Sequence, residues 1–468
     1  MKKYLFFLTI SLLTILVTQC GRNKPGTNGD NEKISDDSLL TVIQYQTFRY
    51  FWDGAEPNSG LARERFHMDD IYPQQDKHVV TSGGGGFGLM AILTGIERGF
   101  ITREEGVDRL IKIARFLEDA DRFHGAWSHW INGETGEAVP FSKNDDGGDI
   151  VETSFMAQGM VTVYEYFKNG NEREQALANK MNELWKGVEW NWYQNGQPAL
   201  LWHWSPNYGF EKNHKITGYN ECLITYVMGS SSPDYPITPE AYHEGWARGG
   251  DIRSDGVSYG MPLELEHRGK TNGGPLFWAH YSYLGLNPKN LKDRYADYWR
   301  HNRNHVLINR EYCIDNPNEF VGYGDSCWGL TSSYSIRGYN TLKQKGEPIP
   351  DFGGEDNHLM GYAGHSPDRD FSVISPTAAL SSMPYAPEEV LKVARYFYED
   401  LGDKLMGPYG FYDAFSLEHN WFPKKYLAID QGPIVVMIEN YRSGLFWNLF
   451  MNNEDVQRGL NRLGFTYE

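Results

Sequence analysis

The chain has 468 residues, with 44 Lys and Arg against 61 Asp and Glu, so its formal net charge at pH 7 is -17. Such an acidic surface argues against nucleic acid and anionic membranes as partners and favours a neutral or cationic ligand. The chain contains only 4 cysteines, which excludes a disulfide scaffold, and its length allows a large hydrophobic core instead.

The beginning of the chain has the layout of a bacterial export signal. Lysines directly after the initiating methionine precede a long apolar run, and residues 1–19 are therefore predicted to be a lipoprotein-type signal peptide. Cys20 is the predicted lipidation site and the first mature residue. We expect an exported protein of the periplasm or outer membrane that touches the membrane only through this lipid anchor. Residues 20–37 are rich in Gly, Asn and Asp and are predicted to form a flexible tether.

Residues 38–468 are predicted to form a single domain of antiparallel helices. Thr102 with Glu105 has the spacing of a capping box, and proline stands at the start of several apolar segments, as it does in the first turn of helices. The length and the number of segments predict an all-α fold, an (α/α)6 barrel whose long loops form a cleft at one end. The predicted helices are Leu39–Phe51, Gly86–Gly99, Arg103–Ala120, Ile150–Phe167, Glu172–Trp185, Pro239–Trp246, Pro288–Trp299, Pro387–Tyr398 and Gln431–Leu449.

Long polar connections separate these helices and contain much of the aromatic content. The main ones are Asp121–Asp146, Gln194–Thr217 and Val321–Ser375. Connections of this length within a domain are usually functional, so we expect the binding residues there.

Several carboxylates stand where a glycine-containing loop gives way to the predicted helix Ile150–Phe167. Asp149 and Glu152 are one helical turn apart, and Asp145 belongs to the preceding loop. Asp149 followed three residues later by Glu152 is also a capping-box sequence, so helix capping is the alternative role for Asp149. A cap does not require Asp145, and clustered carboxylates titrate unevenly, which favours a catalytic site.

Two further acids, Glu221 and Asp413, are candidates for acid and base catalysis. Glu221 stands where a polar loop precedes an apolar helical run that could raise its pKa, as a general acid requires. A solvated or capping glutamate is the alternative. Asp413 stands among aromatic residues and glycines and is a candidate base. Asp430, which precedes the last apolar helix, is predicted to be a helix cap.

Aromatic residues make up 15% of the chain, and many stand in polar loops. Sugar rings stack on indoles while their hydroxyls bond to polar side chains, so an acidic aromatic cleft suits a neutral glycan. Wedging of loops against the core is the alternative role. The candidate substrate-binding residues from these loops are Trp127, Trp130, Trp202 and Trp204.

Other chemistries have little support in the sequence. The glycine-rich segment Ser82–Gly88 lacks the lysine and hydroxyl residue of a phosphate loop, and no HExxH, Cys/His or EF-hand spacing is present. We therefore expect neither a metal nor another cofactor. Cys313 and Cys327 could form one disulfide, with buried free thiols as the alternative.

Together these motifs resemble the bacterial glycoamylase-like proteins of glycoside hydrolase family 144, whose characterised members cleave β-1,2-glucan. The resemblance runs from about Ser38 to the end of the chain. It rests on Asp145-x3-Asp149-x2-Glu152, Asn220-Glu221, Cys327-Trp328-Gly329-Leu330 and Gly410-Phe411-Tyr412-Asp413. Through the last two motifs, Trp328 and Tyr412 join the candidate substrate-binding residues.

The resemblance implies an (α/α)6 barrel, an anomer-inverting hydrolysis and no obligatory metal. It implies that Asp145, Asp149, Glu152 and Glu221 line the cleavage site. Glu221 is the expected general acid, and Asp413 is the expected base, acting directly or through an intervening hydroxyl.

The expected protein is therefore a monomeric glycoside hydrolase that acts on a glucan polysaccharide or oligosaccharide. Cleavage of β-1,2-glucan to sophorose or sophoro-oligosaccharides is expected, with internal cleavage favoured over release from a chain end. The alternatives are a glucoamylase-like exo-enzyme on another glucan and a non-catalytic glycan-binding lipoprotein.

Overall fold

The computed structural model of the protein describes residues 34–467, except residues 73, 268, 270 and 337–360. The predicted signal peptide, the lipidation site Cys20 and most of the predicted tether lie outside the described residues, as does part of the third long connection. Contacts join Asp36–Glu468 into one unit. Among the helices that the structure describes, none is both long and apolar enough to cross a bilayer.

Helices are the main elements of the fold, as predicted. Further short 3-10 and π-helical turns connect them, among them Ala241–Trp246 within the predicted segment Pro239–Trp246. The α-helices are α1 (Asp36–Trp52), α2 (Ser82–Glu97), α3 (Arg103–Asp119), α4 (Ile150–Phe167), α5 (Glu172–Lys186), α6 (Leu223–Ser231), α7 (Tyr298–Asp315), α8 (Pro376–Leu380), α9 (Pro387–Arg395), α10 (Gly402–Leu405), α11 (Ala428–Arg442), α12 (Leu445–Met451) and α13 (Glu454–Leu463).

Helix capping fixes several of these boundaries as predicted. The Thr102 side chain accepts from the backbone N–H of Glu105, whose carboxylate accepts from the Thr102 N–H, so the capping box at α3 is formed. Helix α4 has the predicted bounds because Asp149 caps its first turn.

Two predicted helices are wrong. The segment Pro288–Trp299 is not one helix, because Asp293 accepts from the N–H groups of Tyr295 and Ala296 and turns the chain. Helix α7 begins only at Tyr298. The predicted helix Gln431–Leu449 is interrupted at Gly444, which adopts a left-handed conformation with φ of 70° and separates α11 from α12.

Short antiparallel strands lie in the connections between the helices, where the sequence analysis predicted no strands. They pair as β1 with β15, β9 with β10, β11 with β12, β13 with β14, β3 with β4 and β7 with β8, while β2, β5 and β6 form one three-stranded sheet. The strands are β1 (Arg65–His67), β2 (Val79–Thr81), β3 (Arg122–Phe123), β4 (Ala126–Trp127), β5 (Trp130–Asn132), β6 (Ala138–Val139), β7 (Gly148–Asp149), β8 (His203–Trp204), β9 (Arg253–Ser258), β10 (Met261–Leu265), β11 (Ser332–Ser335), β12 (Gly361–Gly364), β13 (Met406–Gly407), β14 (Gly410–Phe411) and β15 (Lys425–Leu427).

Helices α2, α4 and α11 form a tightly packed centre. A Cβ atom on Gly86 of α2 would lie 2.3 Å from the Phe155 carbonyl oxygen of α4, and a Cβ on Gly159 would lie 2.3 Å from the Gly86 oxygen. A Cβ on Gly432 of α11 would lie 2.4 Å from the Cβ of Phe87. Only glycine permits these approaches, so the glycine-rich start of α2 is a packing surface.

Candidate active site

Two adjoining chambers form a cleft next to the N-terminal ends of α2, α4 and α6. The first chamber has a volume of about 440 Å³ and the second a volume of about 340 Å³. Both are lined by Glu221, Trp202, Phe277 and Ser332, so the chambers meet at Glu221. A larger surface groove of about 750 Å³ between α3 and α5 has none of the predicted site residues in its described lining.

Glu152 lines the first chamber from the first turn of α4. Its Oε2 accepts from the Gly83 N–H at 2.9 Å and from the Thr81 hydroxyl at 3.3 Å. A Cβ on Gly83 would lie 2.1 Å from this oxygen, so the contact requires glycine. Burial raises the pKa of Glu152 to about 7, against the opposing effect of the nearby His129. A proton on Glu152 is therefore exchangeable near neutral pH.

Asp149 is fully buried and holds the start of α4 in place. Its Oδ1 accepts from the N–H groups of Val151 and Glu152, both at 3.0 Å, so the capping role is confirmed. Glu152 does not complete a capping box, because its carboxylate points to α2. The other oxygen of Asp149 accepts from Trp202 Nε1 at 3.1 Å and from His129 Nδ1 at 3.3 Å. Asp149 thus orients two side chains that line the first chamber.

Asp145 accepts from His203 Nε2 at 3.0 Å and from Lys212 Nζ at 2.9 Å. Although burial opposes ionisation, these two partners lower the pKa of Asp145 to about 2. Neither Asp145 nor Asp149 lines a chamber, so both lie behind the wall of the cleft.

Asp145, Asp149 and His203 form a cluster that the sequence did not reveal. Each residue offers one atom that could bind a metal, and these three atoms lie within 4.8 Å of one another. Protein cations already contact these carboxylates. Lys212 binds Asp145, and His129 binds Asp149. Burial lowers the pKa of His129, but the Glu152 and Asp149 carboxylates outweigh this effect and raise it to about 10. The charge of the two aspartates is therefore balanced from within the chain.

Glu221 lies in the turn before α6. Its carbonyl oxygen accepts from the Ser282 hydroxyl, and Ser282 Oγ in turn accepts from the Ile224 N–H at 3.0 Å. Ser282 therefore caps α6 from another segment and fixes the backbone that carries Glu221. Although the side chain remains partly exposed to the cleft, the surrounding protein raises the pKa of Glu221 to about 7 by desolvation, with a smaller contribution from Glu152.

Asp413 follows β14 and is 1% exposed. Its Oδ2 accepts from the Tyr334 N–H at 2.7 Å, and burial raises the pKa of Asp413 to about 6. Tyr334 lines the first chamber and Asp413 does not, so Asp413 lies directly behind the wall. Direct contact between Asp413 and a water molecule in the cleft does not fit this placement.

The prediction for Asp430 is wrong. Asp430 is inside the first turn of α11, and its side chain makes no capping hydrogen bond because Leu427 occupies the N-cap position. It is fully buried, and its Oδ1 accepts from the Tyr281 hydroxyl at 3.1 Å.

The candidate aromatic residues divide into two groups. Trp130 and Trp202 line the first chamber. Trp127 and Trp328 are wholly buried, so the prediction that they bind substrate is wrong. Trp127 instead donates to the Leu117 carbonyl oxygen at 3.0 Å and packs in the core.

Trp204 and Tyr412 also stand outside both chambers. Trp204 packs edge-on against His124, and Tyr412 lies against Tyr426 with ring centroids 5.1 Å apart. Loop position alone did not separate these residues from the ones that face the cleft. The aromatic lining that sequence analysis missed is Phe141, Phe155, Phe277, Trp278, Tyr281, Tyr334 and Tyr362.

His67 fixes Tyr334 in the cleft wall. Burial lowers the pKa of His67 to about 4, so the imidazole is neutral at pH 7. Its Nδ1 contacts the Ile71 carbonyl oxygen, an acceptor only, and must carry the proton. Nε2 therefore accepts from the Tyr334 hydroxyl at 2.7 Å. Tyr334 is held at both its hydroxyl and its backbone N–H.

The three cysteines in the described part of the chain are free. Cys222, Cys313 and Cys327 are all buried thiols, as in the alternative to a disulfide.

Known proteins are similar to this chain in sequence and structure. The family model described as "Putative glucoamylase" matches residues 213–454. An exo β-1,2-glucooligosaccharide sophorohydrolase (non-reducing end) of Parabacteroides distasonis is 44% identical over 450 residues. That alignment covers 92% of this chain and 58% of the relative, so the chain spans less than two thirds of that protein.

Two solved structures match over almost the whole of their own chains. An endo-β-1,2-glucanase of Chitinophaga pinensis, in complex with sophorotriose and glucose, is 57% identical with a TM-score of 0.87. The comparison covers 92% of this chain and 99% of that one. A glucoamylase-family structure from Bacteroides caccae is 53% identical with a TM-score of 0.86, covering 93% of this chain and 100% of that one.

The family model covers more than half of the chain, and the resemblance seen in the carboxylate motifs is confirmed. This chain belongs to the glucoamylase-like family of glycoside hydrolases.

Proposed function

We propose that the protein hydrolyses β-1,2-glucan to sophoro-oligosaccharides. The observation that carries this proposal is the presence of Glu152 and Glu221 in one aromatic cleft, each with its pKa raised to about 7. Carboxyl groups that exchange protons near neutral pH are what glycoside hydrolysis requires. The substrate class is supported by the relatives from Chitinophaga pinensis and Parabacteroides distasonis, whose names specify β-1,2-linked glucans.

Glu221 is the proposed general acid. With a pKa of about 7, about half of the Glu221 side chains carry a proton at neutral pH. Because Glu221 stands where the two chambers meet, sugars bound in both chambers would place the glycosidic oxygen beside it. Ser282 holds the backbone of Glu221 and acts as a positioning residue.

Asp413 is the proposed general base, acting through an intervening hydroxyl. Its buried position behind Tyr334 supports a relay and not direct abstraction from the attacking water. A hydroxyl that enters the first chamber would pass its proton to Asp413 while it takes one from the water. The added distance suits an inverting mechanism, in which acid and base must be far enough apart to admit water.

The other predicted carboxylates have supporting roles in this proposal. Glu152 lines the first chamber and would accept hydrogen bonds from sugar hydroxyls. Asp149 would position Trp202 and His129, and Asp145 would position His203.

Internal cleavage is favoured because the cleft continues on both sides of Glu221. Release of sophorose from a chain end is the second candidate, favoured by the sophorohydrolase at 44% identity.

Product analysis over time on linear β-1,2-glucan, with starch in parallel, separates these functions. A ladder of sophoro-oligosaccharides supports internal cleavage, and a single short product supports the exo-enzyme. Glucose from starch alone would refute the proposed linkage.

The remaining expectations concern the whole protein. The same proposal includes an (α/α)6 arrangement of the helices and a monomeric state. It also includes a location in the periplasm or at the outer membrane, with lipid anchoring through Cys20. Metabolic labelling with a radioactive fatty acid tests the anchor: the wild-type protein is expected to take up the label and the Cys20→Ala variant is not. Absence of label in the wild-type protein would refute lipid anchoring.

A further inference from the structure

Asp413 and Asp430 meet in the protein interior behind the cleft. Asp413 follows β14, Asp430 belongs to α11, and the two side chains are 1% and 0% exposed. One oxygen of each carboxyl has a conventional donor: the Tyr334 N–H for Asp413 and the Tyr281 hydroxyl for Asp430.

The remaining oxygens are Asp413 Oδ1 and Asp430 Oδ2. Among the described residues, neither oxygen receives a hydrogen bond from an N–H group or a hydroxyl. The two carboxyl groups are within hydrogen-bonding contact of each other. Carboxylates are acceptors only, so this contact requires one proton between the two groups.

The charges around the pair determine which group holds the proton. Arg65 lies close enough to favour the anionic form of Asp413, whereas Glu64 disfavours a charge on Asp430. Burial raises the pKa of Asp430 well above its usual range, and the neighbouring Asp413 raises it further. The other two donors to the pair, the Tyr281 hydroxyl and the Tyr334 N–H, are uncharged and do not reverse this order.

We infer that Asp430 is a neutral carboxylic acid that donates a hydrogen bond from its Oδ2 to Asp413 Oδ1, and that it is a positioning residue for Asp413. Its hydrogen bond and the Tyr334 N–H together hold both oxygens of the Asp413 anion. In turnover Asp413 gains one proton and later releases it, and Asp430 keeps its own. The catalytic consequence rests on the proposed role of Asp413 as the base, whereas the shared proton does not.

Two substitutions at one position test the catalytic consequence. Asp430→Asn keeps an N–H donor for Asp413 and an oxygen for Tyr281. Asp430→Leu has a similar volume and removes the donor. A hydrogen bond to a charged group is strong, so we expect Leu to lower kcat by about ten- to a hundredfold, with KM within about twofold. The acid limb of the pH profile should move upward by about one unit. The Asn variant should stay within about threefold of the wild-type kcat.

The direction in which the acid limb of the pH profile moves distinguishes a neutral Asp430 from an ionised one. If Asp430 were ionised, Asp430→Asn would remove a negative charge next to Asp413 and move the acid limb to lower pH. Such a downward shift would overturn the neutral state of Asp430, and a folded Leu variant with wild-type kcat would overturn its role as a positioning residue. Circular dichroism and thermal unfolding of both variants establish that they are folded.

A spectroscopic measurement tests the shared proton without any substrate. The full chain is labelled with ¹³C at the aspartate carboxyl, and infrared difference spectra are recorded about two pH units above the Asp370 pKa of about 6. Asp370 and Asp413 are then ionised, so a remaining protonated aspartate band belongs to Asp430. The band is expected in the wild type and in the matched control Asp370→Asn, and it should disappear in Asp430→Asn.

Absence of the band in the wild type would overturn the inference whether or not the protein is an enzyme. Conversely, a wild-type protein that shows the band and hydrolyses no β-1,2-glucan would refute only the proposed function. The two proposals therefore fail separately.

Discussion

Replacing Glu221 by Gln is the most direct test of the proposed chemistry. The substitution keeps the shape of the side chain and removes its proton. General acid catalysis contributes about 10² to 10⁴-fold, or about 3 to 5 kcal/mol of transition-state stabilisation. We therefore expect kcat on β-1,2-glucan to fall by at least about a hundredfold, while sophoro-oligosaccharide binding measured by calorimetry changes by less than about threefold. The alkaline limb of the wild-type pH profile, expected at about pH 7, should be lost.

The leaving group provides a sharper version of this test. An aryl β-sophoroside has a leaving group that needs little protonation, so the Gln variant should recover most of its loss on that substrate. The control is Glu211→Gln, a change of the same chemistry at an exposed position outside both chambers. A Glu221→Gln enzyme within tenfold of wild-type kcat on β-1,2-glucan would refute the assignment, as would equal losses on both substrates.

Other consequences of the structure are measurable. Because burial raises the pKa of Asp413 to about 6, kcat/KM should fall as the pH drops below about 6, and an unchanged acid limb in Asp413→Asn would contradict its role as the base. The pKa of Asp145 is lowered from its ordinary 3.8 to about 2, so its stabilising effect is fully present above about pH 4 and is lost as the pH falls through 2. The wild type should exceed Asp145→Asn in free energy of unfolding, measured with urea, by about 2 kcal/mol more at pH 5 than at pH 2. A stability difference that does not change with pH would count against the ion pairs. Gly86→Ala places a Cβ 2.3 Å from the Phe155 oxygen and should lower the free energy of unfolding by about 1–3 kcal/mol or more. An unchanged melting temperature in that variant would show that α2 and α4 can separate at little cost.

The helix that carries Glu152 was predictable because two local signals agree there. Apolar residues on all sides mark α4 as buried, and Asp149 marks its start. Helix α7 lacked the first signal. Its buried face contains His301, Asn302 and His305, so it has no apolar period to detect. The Tyr219 hydroxyl binds Asn302 and His305, and His301 Nδ1 accepts from the Leu265 N–H at 3.3 Å.

The residue types of the candidate site were predictable from the sequence. Which of these side chains face the cleft and which lie behind its wall was not. Glu152 and Asp149 are three residues apart, yet one side chain enters the cleft and the other binds behind it. Asp149 is the N-cap residue in an extended conformation, with φ of -111° and ψ of 109°, whereas Glu152 lies inside the helix. Trp127 and Trp130 show the same limit, since their strands turn one indole into the core and the other toward the chamber. Asp430 could not be assigned from sequence because its partner Asp413 belongs to a different segment, β14 and the turn that follows it.

The pairing of β1 with β15 has a consequence for how the protein is made. Arg65 lies opposite Leu427 in that sheet, and both residues line the first chamber, so two segments that are far apart in the chain share one wall. During synthesis this wall is missing its second half until the ribosome has passed residue 427. A truncated product that ends before β15 therefore lacks the strand that pairs with β1 at Arg65, and it also lacks Asp430, the partner of Asp413. Premature termination yields an unfinished binding surface and no partly active hydrolase.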